Sequence, residues 1–99
     1  MIIVSGHITI PANRMAELLP VAKATLEATR KEAGCIVYSY AVDVLEPTLL
    51  RIYEEWDNRA ALDAHGKQPH MGPWRAKLAE VGATNRKVIA YEAGEPRAV

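Results

Sequence analysis

The order in which two hydrophobic periodicities follow one another is what most constrains the fold of this chain. Apolar residues alternate at Ile2, Val4, Ile8 and Ile10, with Ile3, Ser5, His7 and Thr9 on the other side, and Pro11 stops the run. That pattern predicts a first strand with two distinct faces. A spacing of three and four then takes over at Met15, Leu18, Leu19, Ala22, Leu26 and Thr29, predicting a helix capped by Asn13 and ending near Glu32. Pro20 lies inside it and cannot donate to the carbonyl of Ala16, so a kink is expected there. Ala33-Gly34 is a helix stop, and Cys35–Asp43 and Thr48–Trp56 read as two strands turned at Glu46-Pro47 into an antiparallel hairpin. Asp57 or Asn58 caps a short helix over Ala60–His65. Gly66 and Pro69 bend the chain before a longer helix carrying Met71, Trp74, Leu78 and Val81, which Gly82 ends. Asn85–Ala93 is the last strand.

The resulting order, β-α-β-β-α-β, is usually solved as an α+β fold in which one antiparallel sheet carries both helices on one face. At 99 residues there is material for one core, so a single domain over residues 1–93 is expected, with 94–99 a tail too poor in apolar residues to fold alone. The sheet face away from the helices would leave Ile3 and its neighbours in water, and a homodimer joined through the sheets is the economical cover. Lysine plus arginine balances aspartate plus glutamate at 12 each, so no net field recruits nucleic acid or anionic lipid. The chain opens directly as a strand, with no signal peptide or membrane span to be read, and a cytoplasmic protein is expected. No phosphate loop, dinucleotide fingerprint or nucleophile elbow is present, so no nucleotide or flavin cofactor is indicated.

Three stretches carry a family resemblance: the first strand ending Ile8-Thr9-Ile10-Pro11, the run from Glu32 through Gly34-Cys35 to Tyr40, and the segment from Tyr53 through Trp56 and His65 to His70. Together they resemble the antibiotic biosynthesis monooxygenase family. The resemblance implies a ferredoxin-like subunit that pairs into a dimeric α+β barrel, with a substrate cleft between sheet and helices. It implies a cofactor-independent monooxygenase that oxidises a quinol-like or polycyclic phenolic molecule with O2. Fold fixes the reaction less well than it fixes the architecture. An isomerase of a small oxygenated ketone and a non-catalytic module binding a hydrophobic metabolite are the rival readings. Haem degradation fits poorly: the haem-degrading relatives use an asparagine on the first strand and a histidine on the second long helix, whereas residues 2–10 hold no asparagine and 71–81 no histidine.

Within that frame His65 and His70 are the candidate catalytic bases, because imidazole exchanges protons near neutral pH. Five residues is poor spacing for one helical face. Either the Gly66–Pro69 bend brings both rings to one cleft mouth, or one packs at a helix end and the other is solvated. Zinc would need partners that the sequence does not group, so no metal is assigned. Trp74, Tyr53 and Trp56 are candidate substrate-binding residues, although Tyr53 and Trp56 must project from opposite sides of their strand. His7, off the apolar stripe, belongs to a cleft or to the dimer seam. Adjacent Glu54 and Glu55 are expected in a surface or interface salt bridge with Arg51, and Cys35 as a small buried filler.

Overall fold

The structure, a computed structural model, describes all residues 1–99. Its elements are strand β1 (Ile2–Thr9), a 3₁₀ segment (Ala12–Leu18), helix α1 (Leu19–Thr29), strands β2 (Cys35–Val42) and β3 (Leu49–Trp56), helices α2 (Arg59–Gly66) and α3 (Met71–Glu80), and strand β4 (Thr84–Glu92). Residues 94–99 add no strand or helix. All pairings in the sheet are antiparallel, in the order β2-β3-β1-β4, and the helices cover one face. The smallest dimension of 20 Å is that of a sheet with one helical layer. This is the α+β arrangement that the periodicities predict and the ferredoxin-like fold that the resemblance implies.

Alternation decides what faces inward. Ile2, Val4 and Ile8 of β1 and Leu50, Ile52, Glu54 and Trp56 of β3 are all buried under the helices, and the register pairs Gly6 with Ile52 on one side and Val88 on the other. A Cβ on Gly6 would collide with the Lys87 carbonyl oxygen and lie 2.6 Å from Val88 Cα, so the close approach of β4 requires glycine there. The missing side chain splits the core into two clusters. Ile8, Ile10, Leu18, Leu50, Ile52, Met71, Trp74 and Val81 pack at one end of β1, and Ile2, Val4, Tyr38 and Trp56 at the other.

The first helical region departs from the expected kinked helix. The chain leaves Pro11 in a 3₁₀ segment with no side-chain cap, and the α-helix begins only at Leu19. Pro20 therefore sits in the first turn of α1, where its missing N–H costs nothing, instead of bending a longer helix. The helix stops at Thr29, and Arg30–Glu32 turn into Gly34, whose φ of 82° is left-handed. Gly34 passes so close to α2 that a Cβ would lie 2.6 Å from that of Ala61, and its carbonyl accepts from Asp57 N–H at 2.9 Å. This turn presses Glu32 against α2. Asn58 is the cap of α2, its Oδ1 accepting from the Ala61 N–H at 2.9 Å.

Candidate functional site

The gap between the two core clusters is a cavity of about 480 Å³ between the sheet and α2–α3. Val4, Ile8, Ile52 and Val88, the neighbours of Gly6, line it from the sheet side. Polar groups enter its wall at few points: His65, Glu54, the Tyr38 and Tyr40 rings, Arg75 and Arg86. A small set of polar groups on an apolar surface is the usual construction of a small-molecule site.

His65 reaches the cavity because it lies one turn beyond Leu62 on the inward side of α2, and both residues line the cavity. It is 5% exposed, its ring held between Tyr38, at a centroid distance of 5.0 Å, and Trp56, at 4.9 Å. Nδ1–H donates to Glu32 Oε2 at 2.8 Å, across 33 residues of sequence. Nε2 has no protein partner, yet no buried side-chain nitrogen or oxygen in the molecule is left unpartnered, so this nitrogen opens onto the cavity. A carboxylate on one imidazole nitrogen fixes the tautomer and orients the other as an acceptor.

His70 ends up elsewhere. The bend does bring the two rings within 6.3 Å, but His70 Nε2 meets the far side of the same arrangement, 3.0 Å from Glu32 Oε2 and 3.1 Å from Thr29 Oγ1. It faces a separate outer groove of about 320 Å³ rather than the cavity. The expectation that no compact set of metal-ligand residues exists is corrected here, since one donor atom each from Glu32, His65 and His70 all lie within 4.8 Å of one another. Sequence spacing misses this set because its third member, Glu32, arrives through the Gly34 turn.

Trp74 forms a cavity wall, stacked on Tyr40 at 4.8 Å and 14°, and the pair separates the cavity from a second apolar groove of about 540 Å³ beside α1. Trp56 is fully buried behind His65 and supports the site without lining it. Tyr53 and His7 lie on the opposite face of the sheet, where they are paired positions on neighbouring strands with Ser5 and Arg51, and Tyr53 donates to Glu55 Oε2 at 2.7 Å. Neither touches the cavity. The expected salt bridge of Glu54 or Glu55 with Arg51 is also corrected: Arg51 pairs with Asp43 at 2.8 Å, and Glu54 is buried, accepting from Trp56 Nε1–H at 2.9 Å.

Burial raises the Glu54 carboxyl above the usual range, opposed by the Trp56 hydrogen bond, His65 and Arg86. Burial first, then neighbouring Tyr40 and Glu54, pushes the Tyr38 phenol far up; burial does the same to Tyr40. Both tyrosines therefore stay protonated. Their hydroxyls are 2.7 Å apart, so one donates to the other and the second proton remains available to a ligand oxygen. Cys35 is half-buried, not fully enclosed as expected, and burial and the nearby Glu32 raise its thiol, the opposite of an activated nucleophile.

The fold and the inward histidine define a small α+β domain with a mostly apolar cavity between its two layers. Residues 1–77 match the antibiotic biosynthesis monooxygenase family, and the chain belongs to it. A proposed antibiotic biosynthesis monooxygenase from Deinococcus radiodurans is similar over 100% of this chain and 98% of its own, at 33% identity and a TM-score of 0.90. A conserved protein from Methanosarcina mazei is similar over 94% and 92%, at 26% identity and a TM-score of 0.86. An uncharacterised protein of Synechocystis is 31% identical over 94 residues, and the chain spans 64% of that relative's length.

Proposed function

We propose that this protein is a cofactor-independent monooxygenase of an electron-rich phenol, quinol or anthrone-like molecule, and that it works as a homodimer joined through the outer sheet face. The observation that carries the reading is the Glu32–His65 pair at the wall of an apolar cavity, with Nε2 free toward the cavity.

The chemistry follows from the groups present. A flat aromatic substrate lies against Trp74 and the aliphatic floor, and its acidic C–H or O–H gives a proton to His65 Nε2. Glu32 stabilises the imidazolium through Nδ1–H, while the spare Tyr38–Tyr40 hydroxyl proton and the cations Arg75 and Arg86 stabilise the substrate anion. The electron-rich anion passes one electron to O2, and the two radicals combine to form a C–O bond. The peroxide takes the proton back from His65 and, where the carbon began as a methylene, loses water to leave a carbonyl. One methylene group and one O2 thus become one carbonyl and one water, and the electrons that reduce O2 all come from the substrate. His65 is the catalytic base and Glu32 a positioning residue.

Oxygen-electrode measurements on chelator-treated protein, with a panel of hydroxylated naphthalenes, anthrones and quinols, test the reading. Protein-dependent O2 uptake with an oxidised product is expected, and His65→Ala should lower turnover by about 100-fold or more. Unchanged kinetics in that variant would remove His65 from the mechanism. Ligand binding without O2 uptake would shift the assignment to an isomerase, or to a binding module if nothing is turned over.

A further inference from the structure

We propose that Glu32, His65 and His70 bind a divalent transition-metal ion of the Zn2+ type. Two imidazoles and one carboxylate are the donor types such ions select. The three ligands come from three places in the chain: the turn after α1, the last turn of α2 and the residue before α3. Their convergence is a product of tertiary packing and not of local sequence.

The distances fit. Metal bonds of about 2.0–2.1 Å in a tetrahedral site set donors about 3.3–3.4 Å apart around one ion. The two nitrogens lie 2.8 and 3.0 Å from a single Glu32 oxygen, hydrogen-bond distances that open by a few tenths of an ångström when an ion replaces the shared protons. The remaining separation, between the two nitrogens, must close somewhat from within the 4.8 Å that spans the set, and His70 can supply that movement. Its side chain is 23% exposed, against 6% for His65 and 9% for Glu32, and its polar partners are only Glu32 and Thr29. Two ligands are thus held largely out of water, and the third closes on the ion from the groove side.

A group that orients a ligand, and a route of access, are also present. Tyr38 and Trp56 fix the plane of the His65 ring, while the Thr29 hydroxyl, now hydrogen-bonded to His70 Nε2, gives up that nitrogen when the ion binds. The groove of about 320 Å³, with Gln68 and Lys31 on its walls, admits the ion and leaves room for a water as fourth ligand. Where the oxygenase reading holds, an ion on Nδ1 of His65 keeps the ring's one proton on Nε2. The loaded protein then lacks its base, so the site would shut off the proton transfer proposed above. Metal binding itself does not depend on that reading.

Isothermal titration of chelator-stripped protein with ZnCl2 in a non-coordinating buffer is the test. One ion per chain is expected. His70→Ala and Glu32→Gln should each weaken binding by at least about tenfold, since even loss of a group that only orients a ligand costs about 10–100-fold. His7→Ala, on the opposite sheet face, should leave the affinity as it was. Co2+ in place of Zn2+ should give the visible absorption of a four-coordinate site, and His70→Ala should abolish it. No saturable Zn2+ uptake would overturn the proposal, as would affinity unchanged by His70→Ala or lost in His7→Ala. Because His70 is partly exposed, its variant decides the matter even if Glu32→Gln fails to fold.

Discussion

Glu54 brings a carboxylate into the layer between sheet and helices, where only Trp56 Nε1–H satisfies one of its oxygens. Burial raises its pKa, so the folded state holds its proton more tightly than the unfolded chain does. Stability from this group is fully present below the unfolded pKa and falls as pH rises through the folded one. Glu54→Gln keeps the acceptor for Trp56 and removes the charge. It should raise the melting temperature by a few degrees at neutral pH, a gain that shrinks toward pH 4 in thermal melts followed by circular dichroism. Alternation in the sequence places Glu54 and Glu55 on opposite faces, and the phase shared with Leu50, Ile52 and Trp56 marks position 54 as the inward one. The expectation of a surface or interface ion pair with Arg51 used the alternation to separate the two carboxylates but did not ask which of them shares the phase of the buried residues. Glu32 is different: nothing local ties it to His65, and the contact exists only because the Gly34 turn lies against Ala61.

Elements were legible where sequence chemistry is local. Pro11 bounds β1, Gly82 at a φ of 80° follows α3, and Asn58 starts α2, each through its own backbone requirement. The 3₁₀ segment was not legible, because the apolar spacing of Met15, Leu18 and Ala22 runs on through it unchanged. Hydrogen-bond geometry changes there while the buried face does not. Asn58→Ala tests the importance of the α2 cap. Its loss should cost about 1 kcal/mol, lowering the melting temperature by about 4–8 °C for a domain of this size. A change within error would mean that tertiary packing alone holds α2, and with it His65, in place.

For the whole molecule, the two faces of the sheet have different fates. The helix-side face holds the core and the cavity, while Ile3, Val37, Tyr53, Ile89 and Tyr91 share the other, with Ile89 40% and Tyr91 53% exposed. The dimer proposed through this face would cover them and would place His7 and Tyr53 at its seam. Ile89→Asp should convert a dimer to a monomer in sedimentation velocity, and an unchanged mass would remove this face as the interface. No helix is long and apolar enough to cross a membrane. The placement of the two tryptophans has a practical consequence. Trp56 touches the His65 ring, so its emission should respond to the charge on that imidazole, whereas Trp74, stacked on Tyr40 at the cavity wall, should respond to an aromatic guest. With Trp74→Phe and Trp56→Phe separating the two signals, the protein becomes its own optical sensor, and compound collections can be screened by fluorescence before any product has been identified.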